Sequence, residues 1–92
     1  MIRLKLAPPL THLVGVREIS VEVNQASLTS VLELALTTNP KFRSAMLDQT
    51  GNLSLEYSCL VNNRRYNVTE LSGVEVREGD EIVILLPLAG GL

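Results

Sequence analysis

The chain has 92 residues, 46% of them hydrophobic and 20% charged, with a formal net charge of −2. It is too rich in Val, Ile and Leu for a disordered chain and too short for two domains. It has no basic stripe for nucleic acid, no apolar run near the ~20 residues of a membrane span, and one cysteine, so no internal disulfide.

Ile2, Leu4 and Leu6 alternate with Arg3 and Lys5, and this period of two marks a half-buried strand. A signal peptide would place its charges before a continuous apolar run, so a cytoplasmic location is expected. Pro8-Pro9 ends the strand, and Gly15 falls in a turn. Residues 18–23 alternate again, with Ile19, Val21 and Val23 inward, and the first two strands are expected to form a hairpin.

The period then changes. Ser27 is a candidate N-cap, and Leu28, Val31, Leu32, Ala35 and Leu36 share one face of an amphipathic helix. Asn39-Pro40 stops it, because the residue before proline avoids the α region. Phe42, Met46 and Leu47 suggest a short second helical turn beneath it, and Gly51-Asn52 a turn.

Tyr57 to Val61 is read as a third strand, Asn62-Asn63 as a tight turn and Tyr66 to Val68 as a short fourth strand. A bend follows at 69–73, then a Glu78-Gly79-Asp80 turn and a last strand from Glu81 to Leu86. The order is β-β-α-β-β-β. The last strand is apolar on both faces, as central strands are, with Ile82, Ile84 and Leu86 on one and Val83 and Leu85 on the other. With one long helix to cover a face, Val83 and Leu85 either lie beneath the irregular segment 40–56 or form an open docking patch.

Catalytic candidates are few. His12 is read as a loop residue, Cys59 as a small buried hydrophobe, and the acids at 78–81 as a solvated turn rather than a metal site. Arg64-Arg65 is read as a pair of solvated turn residues, and no phosphate-binding glycine loop is present. A carrier or binding module is expected rather than an enzyme, with no bound cofactor or metal. The tail Pro87-Leu88-Ala89-Gly90-Gly91-Leu92 adds to this. Glycine passes where any side chain would clash, so a pair directly after an apolar strand suits a tip that enters something narrow.

The element order, the Gly79-Asp80-Glu81 turn and the Gly90-Gly91 tail together resemble the ubiquitin-like sulfur-carrier family, which includes the small subunit of molybdopterin synthase and the sulfur carrier of thiamine biosynthesis. Leu13-Val14-Gly15 looks like the molybdopterin-synthase branch. The resemblance implies an α+β, β-grasp (ubiquitin-like) fold, a mixed sheet of four to five strands with one main helix on one face. Residues 1–86 would be the β-grasp domain and 87–92 its Gly-Gly tail.

It also implies a mechanism. A partner adenylating enzyme uses ATP to activate the carboxyl of Gly91, and sulfur then replaces the nucleotide to leave a thiocarboxylate for molybdopterin- or tungstopterin-type cofactor synthesis. Gly90 and Gly91 would be the reacting tip. Val83 and Leu85 with the tail root Leu86, Pro87, Leu88 and Ala89 are the expected partner surface, because docking there would aim the tip into the partner. Family members that act directly end at the second glycine, so Leu92 implies trimming by a peptidase. A large synthase subunit is a further expected partner; nucleic acid and membrane are not. A protein modifier joined through Gly91 and a non-covalent β-grasp binding module are the alternatives.

Overall fold

Alternation in the first six residues builds the strand around which the sheet grows. The computed structural model describes residues 1–47, 50–52 and 57–85. In β1 (Ile2–Leu6) the three aliphatic side chains are buried and the two cations exposed. Strand β2 (Glu18–Val21) pairs with it antiparallel, placing Leu4 opposite Ile19. The expected hairpin is thus present, but β2 ends at Val21, where the Val23 amide donates to the Val21 carbonyl at 2.8 Å and turns the chain.

Between these strands lies a short helix, α1 (Leu10–Val14), so His12 is helical rather than a loop residue. Its Leu10 and Val14 are one apolar i, i+4 pair, too short a pattern to stand out in sequence. Gly15 closes it in the left-handed region at φ 86°, a conformation that suits glycine.

A small pair of strands follows, β3 (Gln25–Ser27) and a later β6 (Glu75–Arg77), with Ala26 opposite Val76. Ser27 ends β3 and caps α2 (Leu28–Thr38), its hydroxyl accepting the Ser30 amide at 3.2 Å. Leu28, Val31, Leu32 and Ala35 are buried and Leu36 half-buried. Asn39 ends α2 and opens α3 (Pro40–Met46), where Pro40 takes the first helical turn. Proline's missing N–H costs nothing there. The expected helical turn is therefore a full helix, with Phe42 and Met46 fully buried.

Strand β4 (Ser58–Val61) reverses through Asn62 and Asn63, at φ 50° and 72°, into β5 (Arg64–Asn67). A 3₁₀ turn (Val68–Gly73) leads to β6, and β7 (Ile82–Leu85) closes the sheet. Strand order is β2-β1-β7-β4-β5, with β1 and β7 parallel and the other pairs antiparallel. The sheet is mixed and five-stranded, with β7 at its centre. Tyr57, Cys59, Val61, Ile82 and Ile84 join the inward residues of β1, β2 and the helices in one core on one face.

The expected β-β-α-β-β-β order holds for the main sheet and α2. Sequence reading omitted α1, β3 and β6, of five, three and three residues. Such pieces carry too few alternations to declare a period.

Candidate functional site

Register decides what shares the face of the sheet opposite the helices. Val83 lies between Lys5 on β1 and Leu60 on β4, and Leu85 lies opposite Ser58. Leu60 in turn faces Arg65 on β5. Alternation puts these side chains away from the core, since Cys59, Val61, Ile82 and Ile84 point into it. Leu60, Val83 and Leu85 are half-buried and form a short apolar strip.

The strip has charged borders. On the β1 side Lys5 Nζ donates to Glu81 Oε2 at 3.1 Å, and Arg3 approaches Glu18 at 3.9 Å. On the β5 side Arg65 Nε donates to Ser58 Oγ at 3.2 Å, and Ser58 is buried. An apolar centre with a polar rim is the anatomy of a protein-binding patch.

Segment 40–56 was the alternative cover for Val83 and Leu85. Its helix α3 instead sends Phe42 and Met46 into the core, on the opposite side of the sheet. This portion leaves the strip uncovered. Residues Leu86, Pro87, Leu88, Ala89, Gly90, Gly91 and Leu92 lie outside the described residues. Strand β7 reaches Leu85, which belongs to the strip and is the last described residue before the tail.

The acidic turn has separate work for each acid. Gly79 sits at φ 98°, in the left-handed region that favours glycine. Asp80 Oδ2 accepts the Arg77 amide at 2.9 Å, and Asp80 Oδ1 accepts from Asn62 Nδ2 at 3.2 Å. Glu81 holds Lys5, and Glu78 accepts from the Met1 ammonium at 2.7 Å. Among the described residues no group of three or more His, Cys, Asp or Glu could hold a metal ion. Nor is any helix among them long and apolar enough to cross a membrane.

His12 is exposed on α1 and Cys59 is buried in the core. Burial pushes the Cys59 thiol up to about 12, so it stays protonated and is a poor nucleophile at neutral pH. The same burial raises the Tyr57 phenol, with a smaller contribution from Cys59.

Sequence reasoning missed Leu60 and Arg65. Inward Tyr57, Cys59 and Val61 already imply an outward Leu60. The adjacency of β4 to β7 that brings it to Val83 is a long-range pairing with no local mark.

No protein-family model matches this sequence, and no curated protein does. Solved structures do resemble it. Small archaeal modifier protein 1 (SAMP1) of Haloferax volcanii superposes with a TM-score of 0.76 at 24% identity, over 97% of this chain and 97% of that one. The solution structure of SAMP1 from Methanosarcina acetivorans gives 0.67 at 24% identity, over 97% of this chain and 94% of that one. Urm1 of Sulfolobus solfataricus gives 0.57 at 18% identity, over 92% and 99%. These likenesses define the fold: the chain is an α+β, ubiquitin-like β-grasp protein.

Proposed function

We propose that this chain is a ubiquitin-like sulfur carrier whose Gly91 carboxyl is activated by a partner enzyme. The observation that carries this is the Gly90-Gly91 pair, set five residues beyond the central strand β7 of a ubiquitin-like fold. Residues 1–86 are the body and 87–92 the arm, and the protein works in the cytoplasm. Pro87 to Gly91 can extend about 17 Å at ~3.3 Å per residue, enough to reach a buried site on a partner. The strip of Leu60, Val83 and Leu85 is the docking surface that aims the arm.

The Gly91 carboxyl is encoded in a peptide bond to Leu92, so a peptidase must first hydrolyse that bond. A freed carboxylate oxygen then attacks the α-phosphorus of ATP held by the partner, and pyrophosphate leaves. A sulfur nucleophile at the oxidation level of sulfide attacks the acyl carbon, AMP departs and a thiocarboxylate is left. Its sulfur attacks an acceptor during synthesis of a molybdopterin- or tungstopterin-type cofactor on a large synthase subunit, and water then cleaves the acyl–sulfur bond, leaving the sulfur on the acceptor and regenerating the Gly91 carboxylate.

One observation favours a second reading. The SAMP1 neighbours are named modifier proteins. As a modifier, the same activated Gly91 would be attacked by a lysine amine, giving an isopeptide and releasing AMP.

Mass spectrometry of the protein recovered from its native host separates the readings. A species ending at Gly91 with one oxygen replaced by sulfur supports the carrier. A Gly-Gly remnant on lysines of other proteins supports the modifier. Protein intact at Leu92 with neither product leaves a non-covalent binding module and overturns both. Intact protein that still forms a thiocarboxylate overturns the trimming step.

A further inference from the structure

One edge of the sheet is built to accept another strand. β2 is outermost in the order β2-β1-β7-β4-β5, and among the described residues it pairs only with β1. The Leu6 amide donates to the Arg17 carbonyl at 2.8 Å, and the register continues through Leu4 and Ile19. Hydrogen-bonded positions alternate along an antiparallel pair, so Ile19 turns its backbone groups toward β1. Those of Glu18 and Ser20 point out of the sheet, a ready template for a further strand. Beside them runs a groove with Ser20, Val21 and Glu22 on one wall and Leu34 and Thr38 of α2 on the other. Leu34 is 42% exposed there, one of four large hydrophobics so exposed among the described residues.

Charge on this edge selects the occupant. Glu18, Ser20 and Glu22 line the outer face of the edge, while Val21 faces the helix side. Glu22 makes no ion pair among the described residues, and Glu18 has only the long Arg3 contact. On its paired side β2 already faces a strand that alternates apolar and basic residues, with Lys5 opposite Glu18. Another copy of β2 is the wrong partner. Pairing about Ser20 would set Glu18 of one copy opposite Glu22 of the other, and like charges directly opposite destabilise a sheet.

We propose that the free edge of β2, with the Leu34 side of α2, binds an extended segment of a partner protein in which apolar and basic residues alternate. The segment's amides pair with the backbone of Glu18 and Ser20. Its apolar side chains lie against Val21 and Leu34, and its Lys or Arg side chains face Glu18 and Glu22. This is recognition by strand addition, in which the backbone gives affinity and alternate side chains give specificity. It does not depend on the chemistry of the tail.

The test titrates the nitrogen-15-labelled full chain with a blocked synthetic peptide repeating the order Ile-Arg-Leu-Lys-Leu found in β1. Amide shifts are expected at 18–22 and around Leu34. A Glu18→Lys, Glu22→Lys double variant, with its fold checked by its own amide spectrum, should bind about tenfold more weakly, as two attractive cross-strand pairs become repulsive. Leu34→Asp, at an exposed position, should weaken binding without that charge reversal. A peptide N-methylated at every second residue on its pairing edge should not bind. Equal binding by that peptide, shifts centred on Leu60, Val83 and Leu85, or no shift up to the peptide's solubility limit would each overturn the proposal.

Discussion

Asn62 and Glu81 hold each other from two sides. The Asn62 amide donates to the Glu81 carbonyl at 2.8 Å, and the Glu81 amide donates to Asn62 Oδ1 at 3.0 Å. With the Asn62 Nδ2 bond to Asp80, this ties the β4–β5 turn to the entry of the central strand β7. A residue at φ 50° that also offers a side-chain donor and acceptor is best served by asparagine.

Asn62→Ala should therefore cost about 2 kcal/mol, combining left-handed strain with the lost side-chain bonds. Asn62→Gly, which keeps the backbone freedom, should cost about half as much. Urea denaturation measures both. Equal losses from the two would show that backbone strain contributes nothing.

This pairing also shows where sequence reading reaches its end. The Asn62-Asn63 turn and the Gly79 turn were each legible, because left-handed positions leave a mark in residue type. Their partnership was not, since 18 residues separate Asn62 from Asp80. The same holds for the strip. Strand alternation puts Val83 and Leu85 outward on β7, but only the β4–β7 register adds Leu60. The edge of β2 could not be assigned either, because strand order is set by long-range pairing. The ubiquitin-like fold was legible for a different reason: the element order, the Gly79-Asp80-Glu81 turn and the Gly90-Gly91 tail together resemble a known family, and the period of two in β1 and of about 3.6 in α2 helped to supply that order.

Adjacent positions on β7 should respond differently to truncation. Ile84 is fully buried, whereas Leu85 is half-buried on the outer face. Ile84→Ala should cost about 3–4 kcal/mol, as buried isoleucines do. Leu85→Ala should cost roughly 1 kcal/mol, since much of its area is already exposed. Denaturant midpoints compare them, and a Leu85 loss as large as that of Ile84 would place Leu85 in the core. Leu85→Glu should then leave a folded domain with weakened docking to the activating partner.

Two pH limbs follow from groups at opposite extremes of burial. The exposed Glu78 carboxylate is lowered from 4.5, first by its hydrogen bond from the Met1 ammonium and then by that charge. A depressed folded value means the contribution is present above the unfolded value and lost as pH falls through the folded one. Acetylating the amino terminus should remove this limb, and added salt should shrink it by screening. Stability against pH on the acid side, with and without acetylation, measures it. Superimposable curves would show the pair to be energetically silent.

Cys59 controls part of the alkaline side. Its thiol is raised from 9.0 to about 12 by burial, so above pH 9 the unfolded state releases a proton that the folded state keeps. The unfolded state then binds fewer protons, and stability falls as pH rises from 9 toward 12. Cys59→Ala should flatten that fall while lowering stability at neutral pH through the lost packing. Iodoacetamide at neutral pH should label Cys59 only on unfolding. Rapid labelling of the native protein would show that the thiol is reachable.

The tail should separate function from stability more sharply than any other region. Gly90 and Gly91 follow the last residue of β7 by five and six positions in sequence. Replacing Gly91 with valine adds a β-branched side chain beside the carboxyl that must enter a narrow adenylation site, and it restricts φ at that residue. Gly91→Val in a chain ending at residue 91 should leave the denaturation midpoint unchanged. ATP–pyrophosphate exchange with the activating enzyme should fall by at least about a hundredfold, the equivalent of roughly 2.7 kcal/mol. Gly90→Ala, a smaller change one residue back, should fall between that variant and the parent. Full exchange activity for Gly91→Val would mean that the partner makes no steric demand at the tip, and the pair of glycines would then need another explanation.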